Sequence, residues 1–310
     1  MRTHLALVLA FAGCTGEPPV HVLTAAATSA LPTTPGWYSL EYDVSNGDPR
    51  GYGLYLPTGY TTTGAALPML AVFHGGGSSV NAFAVSPGML RLKQIVDSDP
   101  HVVVFLQGSY GTDLSKPGEW DVTGLIRNDL LYTRELLDAL KSGLNVDDTR
   151  VFAAGHSEGG RFVHALGQYD STYFRGIAAV ESSYAISCLD LPAPAPAVRL
   201  PVFMVHQDHD PVITFDGSYT DTSPYDYVPG VESYDFWYTR NTCTDLTADI
   251  LSPLYHGAVT SCAGSSANQL AFITVFNNQP STVNDNHKWP TQSGEGYDAS
   301  QAMIDFFDAL

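Results

Sequence analysis

Ser157 sits between two glycines in VFAAGHSEGGRF, residues 151–162, where a small, apolar run ends in Gly155-His156-Ser157-Glu158-Gly159 and a helical pattern follows. A serine hydroxyl attacks an electrophile only where a base takes its proton and donors receive the oxyanion that forms. A G-x-S-x-G spacing on a strand-to-helix turn meets the geometric part of that demand. The backbone reverses so sharply that the hydroxyl projects from the tip, with a helix N-terminus behind it that favours developing negative charge. The plain alternative is a Gly-rich turn whose serine caps the helix.

The oxyanion donors have a source upstream. His74-Gly75-Gly76-Gly77 follows the apolar run LPMLAVF, and glycine N–H groups can turn inward because no Cβ obstructs them. The N–H groups of Gly75, Gly76 and Glu158 are the expected oxyanion hole, with His74 bracing the loop and the Glu158 carboxylate facing solvent. In the chain order serine, acid, base, the acid should follow the strand-like LPVFMVH, in His206-Gln207-Asp208-His209-Asp210-Pro211. Asp210 is the expected acid and Asp208 its competitor. Only His256 and His287 come after Asp210. His287 leaves the last strand-like run, where a base belongs, whereas His256 precedes that run, so His287 is the expected base. Trp120 and Trp289 are candidates for contact with an acyl or aryl group, with burial in the core as the alternative. Asp129, next to Asn128, reads as a helix cap.

These residues need elements to carry them. Residues 37–44 and 52–57 alternate like an antiparallel pair across the turn-rich SNGDPRG. Short apolar runs then alternate with helical patterns: strands at 67–73, 101–107, 150–155, 176–182, 200–206 and 270–276, and helices at 80–96, 125–143, 158–169 and 297–310. Strands apolar on both faces, alternating with helices, imply an α/β fold with a mostly parallel central sheet covered on both sides. Residues 37–310 form one domain on this reading.

The N-terminus reads differently. Met1-Arg2-Thr3-His4 and the apolar LALVLAFAG have the proportions of a secretory signal, too short to span a bilayer. Phe11-Ala12-Gly13-Cys14 is similar to a bacterial lipobox, which would make 1–13 a lipoprotein signal and Cys14 the lipidated residue, with 14–36 a Pro- and Thr-rich tether. An ordinary secreted protein is the alternative, and both place the mature chain outside the cytoplasm. Of the remaining cysteines, Cys243 and Cys262 flank a short segment and are paired here. Cys188 is the odd thiol, although spacing leaves it open as a partner. The chain carries 14 basic and 32 acidic residues, net −18, which excludes nucleic acid and anionic surfaces as partners and favours a neutral substrate.

Taken together, YLPTGY, AVFHGGG, VDDTRVFAAGHSEGG, VHQDHDPV, RNTC and HKWP resemble the poly(3-hydroxybutyrate) depolymerase-like and feruloyl-esterase-like families of the α/β-hydrolases, from about residue 52 to residue 310. The resemblance implies a monomeric carboxylic ester hydrolase without metal or cofactor, a Ser157–His287–Asp210 triad, and Cys243 in the family disulfide. It implies polysaccharide-linked feruloyl or acetyl esters, or hydroxyalkanoate polyesters, as substrates, with membrane contact only through the lipid at Cys14. Gln207 stands where the family has glycine, and the segments 183–200 and beyond Asp216 depart from its pattern, which puts substrate choice in question.

Two rivals remain. His206, Asp208 and His209 form half of a metallo-hydrolase signature, but Met204 would then occupy the place of the first ligand, a poor donor for a hydrolytic zinc. A non-catalytic, hydrolase-like surface-binding lipoprotein is the other, and it would not need a complete triad.

Overall fold

The computed structural model describes residues 31–108, 111–121, 128–184, 199–216, 228–262, 265–276 and 286–310. Cys14, the signal and tether up to residue 30, Cys188 and most of the two departing segments lie outside the described residues.

Ten strands form one sheet: β1 (Gly36–Asp43), β2 (Pro49–Leu56), β3 (Leu67–Phe73), β4 (Val102–Leu106), β5 (Val146–His156), β6 (Gly176–Val180), β7 (Val202–Gln207), β8 (Cys243–Leu251), β9 (Tyr255–Cys262) and β10 (Ser265–Val275). Their spatial order is β1-β2-β4-β3-β5-β6-β7-β10-β9-β8. The six strands from β4 to β10 run parallel, and an antiparallel pair extends each edge. The expected parallel centre and opening hairpin are both present.

Strand alternation divides the core in two. On β3, Met69, Ala71 and Phe73 face the layer that contains α3 (Asn128–Gly143), α4 (Glu158–Tyr169) and α5 (Gly230–Arg240). Leu70 and Val72 face the layer of α1 (Val80–Ala84), α2 (Pro87–Ser98) and α6 (Ala299–Asp308). The central strands are buried throughout, as β4 with its VVVFL is, because helices cover both faces.

Several features differ from expectation or went unmarked in the sequence. The helix expected over 80–96 is two helices. Pro87 takes the first position of α2, where its missing N–H costs nothing, and the preceding Ser86 is forced to extended backbone (φ −64°, ψ 153°), which ends α1. Strands β8 and β9 and helix α5 lack the apolar runs that mark the centre. β8 is a polar edge strand with Leu246, Ile250 and Leu251 exposed, and pairing with β9, rather than hydrophobic patterning, makes it a strand. Asp129 is in the first turn of α3, and its carboxylate is engaged by partners remote from the helix start. It is buried, bonds the guanidinium of Arg50 on β2 at 2.7 Å and accepts the Asp121 N–H at 2.7 Å. Arg50 also donates to the Gln107 carbonyl, so the pair stitches the hairpin edge to the loop after β4.

Cys243 and Cys262 are register partners on β8 and β9 and are joined as a disulfide, 19 residues apart in sequence. The crosslink stabilises chiefly by restricting the unfolded chain, worth about 3 kcal/mol for a loop of this size. Replacing both cysteines by serine should lower the unfolding free energy by about that amount. Denaturant titration at pH 7 measures it, and an unchanged midpoint would show that the crosslink contributes nothing.

Candidate active site

The site begins with a steric condition at the end of β5. Ser157 has φ 54° and ψ −122°, a conformation side chains rarely adopt, and its hydroxyl caps nothing. The turn closes because neither flanking glycine carries a Cβ. One on Gly155 would meet the Gly159 carbonyl oxygen at 2.2 Å, and one on Gly159 would lie 2.4 Å from the carbonyl oxygens of Phe73 and His74. The Ser157 N–H donates to the Val180 carbonyl (3.0 Å), and the Ser182 hydroxyl donates to the Ser157 carbonyl (2.7 Å), so β6 holds the strained residue in place.

The three residues expected to form the triad meet at this tip. The Ser157 hydroxyl donates to His287 Nε2 at 2.7 Å, and His287 Nδ1–H donates to Asp210 Oδ2 at 2.7 Å. Asp210 lies in the loop after β7, fully buried, and its Oδ1 accepts the N–H groups of Val212 (2.7 Å) and Ile213 (3.0 Å). Burial alone would push its acidity down. The hydrogen bond and charge of His287, the nearby His206 and the Val212 N–H outweigh burial, so its pKa falls below the ordinary carboxylate value.

The His74-Gly75-Gly76 loop at the end of β3 lies against the same tip: a Cβ on Gly75 would be 3.3 Å from that of Ser157. His74 braces the loop, as expected. Its Nδ1–H donates to the Gly75 carbonyl (2.8 Å) and its Nε2 accepts the Gly108 N–H (3.0 Å). That pattern requires the neutral ring, and burial holds its pKa down to about 4. Burial, followed by the proximity of His287, likewise lowers His156, within the elbow, to about 3.

Comparison with known proteins adds to this geometry. No family profile matches the chain. A protein named as an esterase, NocK of Nocardia uniformis subsp. tsuyamanensis, is 27% identical over 72% of this chain and 66% of its own length. The bifunctional acetylxylan esterase/xylanase XynS20E of Neocallimastix patriciarum is 26% identical over 56% of this chain, which spans only 23% of that protein. Among solved structures, the acetyl xylan esterase from Aspergillus awamori superposes with a TM-score of 0.60 at 12% identity, covering 89% of this chain and all of the other. This is the α/β-hydrolase fold.

Within that fold several sequence expectations need correction. Trp120 and Trp289 are core residues rather than open substrate platforms. Trp120 is 4% exposed and donates its ring N–H to the His74 carbonyl (2.8 Å), while Trp289 is 5% exposed and donates to the Ser300 hydroxyl (3.0 Å). Within this fold they brace, from behind, the loops that carry His74 and His287. His206, Asp208 and His209 do not form a ligating group among the described residues. His206 is buried and donates from Nε2 to the Ile213 carbonyl (2.8 Å), whereas Asp208 and His209 pair with each other nearer the surface. His256 stands at the start of β9 and bonds Asp249 on the neighbouring strand β8 at 2.6 Å. Among the described residues, no helix is long and apolar enough to cross a membrane.

The Glu158 carboxylate does not face solvent. It accepts the Trp120 N–H at 3.2 Å, and its Oε2 lies 2.9 Å from where a Cβ on Gly76 would be, beside the candidate oxyanion donors. Burial raises its pKa to about 7, against the Trp120 N–H, with Glu119 adding repulsion. A carboxyl whose folded pKa exceeds its unfolded value of 4.5 destabilises the fold progressively as pH rises from there to about 7. Glu158→Gln, which keeps the acceptor but cannot ionise, should therefore be more stable than the parent at pH 8, by at most about 3 kcal/mol, and equal to it at pH 4. Denaturant midpoints at the two pH values test this; an equal difference at both would refute it.

Proposed function

We propose that the chain is a serine esterase that hydrolyses carboxylic esters, with acetylated polysaccharide as its main substrate class and feruloyl or hydroxyalkanoate esters as the related possibilities. The observation that carries this reading is the His287 ring spanning Ser157 and Asp210 at 2.7 Å on each side. Ser157 Oγ attacks the carbonyl carbon while His287 Nε2 takes its proton, and the ionised Asp210 steadies the resulting imidazolium. The N–H groups of Gly75, Gly76 and Glu158 receive the oxyanion. Collapse of the tetrahedral species breaks the ester C–O bond, and His287 returns the proton to the departing alcohol. Water then repeats the sequence on the acyl-serine and releases the acid.

The naming of one curated relative and of one fold neighbour as acetyl xylan esterases supports the substrate class. The net charge of −18 favours a neutral ester over a charged one. The enzyme works outside the cytoplasm as a monomer, either freed from its 1–13 signal or held to the membrane by lipid on Cys14. This mechanism requires no metal or cofactor.

Ser157→Ala and His287→Ala should each lower kcat on p-nitrophenyl acetate by several orders of magnitude, on the order of 10⁶ where such triads have been dissected. An organophosphate should abolish the wild-type rate and a chelator should leave it intact; a Ser157→Ala protein as fast as its parent would remove the assignment. Acetylated xylan, methyl ferulate and hydroxybutyrate oligomers assayed side by side should rank in that order, and a faster rate on either of the last two would reassign the substrate.

A further inference from the structure

Glu181 follows β6 directly, behind the proposed triad, and no step of the reaction uses it. It is fully buried, at 0% exposure, and its backbone is held at φ 47° with its N–H donating to the Val205 carbonyl (2.9 Å). Such a conformation costs free energy in a non-glycine residue and persists only where the surroundings impose it. The side chain is aimed at the acid of the triad: ligand-type atoms of Glu181, His206 and Asp210 all lie within 4.8 Å of one another.

Two buried carboxylates this close cannot both be charged at moderate cost. The hydrogen bonds decide which one holds the proton. Asp210 accepts three N–H groups, from His287, Val212 and Ile213. Among the described residues, Glu181 accepts from Gln207, through its backbone N–H (2.9 Å) and its Nε2 (3.2 Å). Burial lowers the pKa of His206, and its Nε2 lies 3.5 Å from Asp210 Oδ2, so it favours charge on Asp210 rather than on Glu181, while its Nε2–H is committed to the Ile213 carbonyl (2.8 Å). That commitment also removes it as a metal ligand at this cluster. The Lys288 ammonium pairs with Glu295 instead. Burial, followed by repulsion from Asp210, raises the pKa of Glu181 well above the ordinary carboxylate range.

We propose that Glu181 is a positioning residue that sits beside Asp210 as a neutral carboxylic acid, donates a hydrogen bond to it, and through Gln207 ties the acid-bearing loop to the base-bearing loop. The second tie is direct, since Gln207 Nε2 also donates to the Lys288 carbonyl, one residue beyond His287 (3.1 Å). Gln207 is the residue that departs from the family's glycine in the sequence, and its amide is what joins Glu181 to the 286–290 loop.

The kinetic part of the inference rests on the esterase reading; the protonation state does not. Infrared difference spectra at pH 8.5, above the range in which Glu158 ionises, should show a protonated-carboxyl C=O band in wild type that is missing in Glu181→Gln. No such difference would overturn the proposal whatever the protein hydrolyses. In activity, Glu181→Leu should lower kcat by about tenfold or more with KM within about twofold. It should also move the acidic limb of the kcat profile to higher pH, because Asp210 without its donor binds the imidazolium more tightly. Glu181→Gln, which retains a donor without the capacity to ionise, should restore most of kcat and return the limb to its wild-type position. If Glu181→Gln shifts the limb as far as Glu181→Leu, Glu181 is ionised and the proposal fails. Should Glu181→Leu not fold, the infrared result and the Glu181→Gln profile still decide.

Discussion

Everything at the site depends on how closely three backbone stretches pass at the C-terminal end of β5. Gly159 lies so near the carbonyls of Phe73 and His74 that one methyl group would separate the elbow from the loop ahead of it. Because that contact closes, the strained Ser157 projects next to Gly75 and within reach of a ring delivered from residue 287, 130 positions further along the chain. The strain is local, but the hydrogen bonds that hold it run to Val180 at the end of β6 and to Ser182 just beyond, so the cost is spread over a rigid frame. A looser crossing would place the same residues in one neighbourhood without aligning them.

Around that crossing the protein keeps charge scarce. Three histidines near the tip, at 74, 156 and 206, are held neutral by burial, and two of them are committed to carbonyls. Glu158 ionises only near neutrality, and burial and the proximity of Asp210 push Glu181 well above the ordinary carboxylate range. Asp210 alone is biased towards its charged form, with its negative charge directed onto His287. In a region of low dielectric, a single carboxylate satisfied by hydrogen bonds orients an imidazole more effectively than several competing charges could. The acidic surface, net −18 over the chain, is thus separate in kind from the interior of the site.

The aromatic residues near the tip serve this arrangement from behind. Trp120 packs on Phe73 and Phe162 and holds the His74 carbonyl, and Trp289 packs edge-on against Phe83 and reaches Ser300 on α6. Each ties a loop that meets at the Ser157 tip to a helical layer, Trp120 on one face of the sheet and Trp289 on the other. Rigidity of this kind keeps a preorganised site aligned without movement during the reaction.

The sequence by itself determined the parallel centre, the opening hairpin and the elbow turn, and it singled out the hydroxyl, carboxylate and imidazole that meet there. Each of these leaves a local mark: apolar runs of strand length, glycines at fixed offsets, and ionisable residues placed just after a strand end. Only the tertiary structure decided the rest, because there the deciding partner is remote. Asp129 looks like a cap until Arg50 arrives from 79 residues away, and Glu158 looks solvated until the Trp120 N–H and Gly76 close over it. β8 lacks a hydrophobic signal and exists through its pairing with β9. Glu181 carried one legible hint, a charge at the end of an otherwise apolar strand. Its burial beside Asp210, however, is set by the way β6 and β7 lie together, and no window along the chain contains that information.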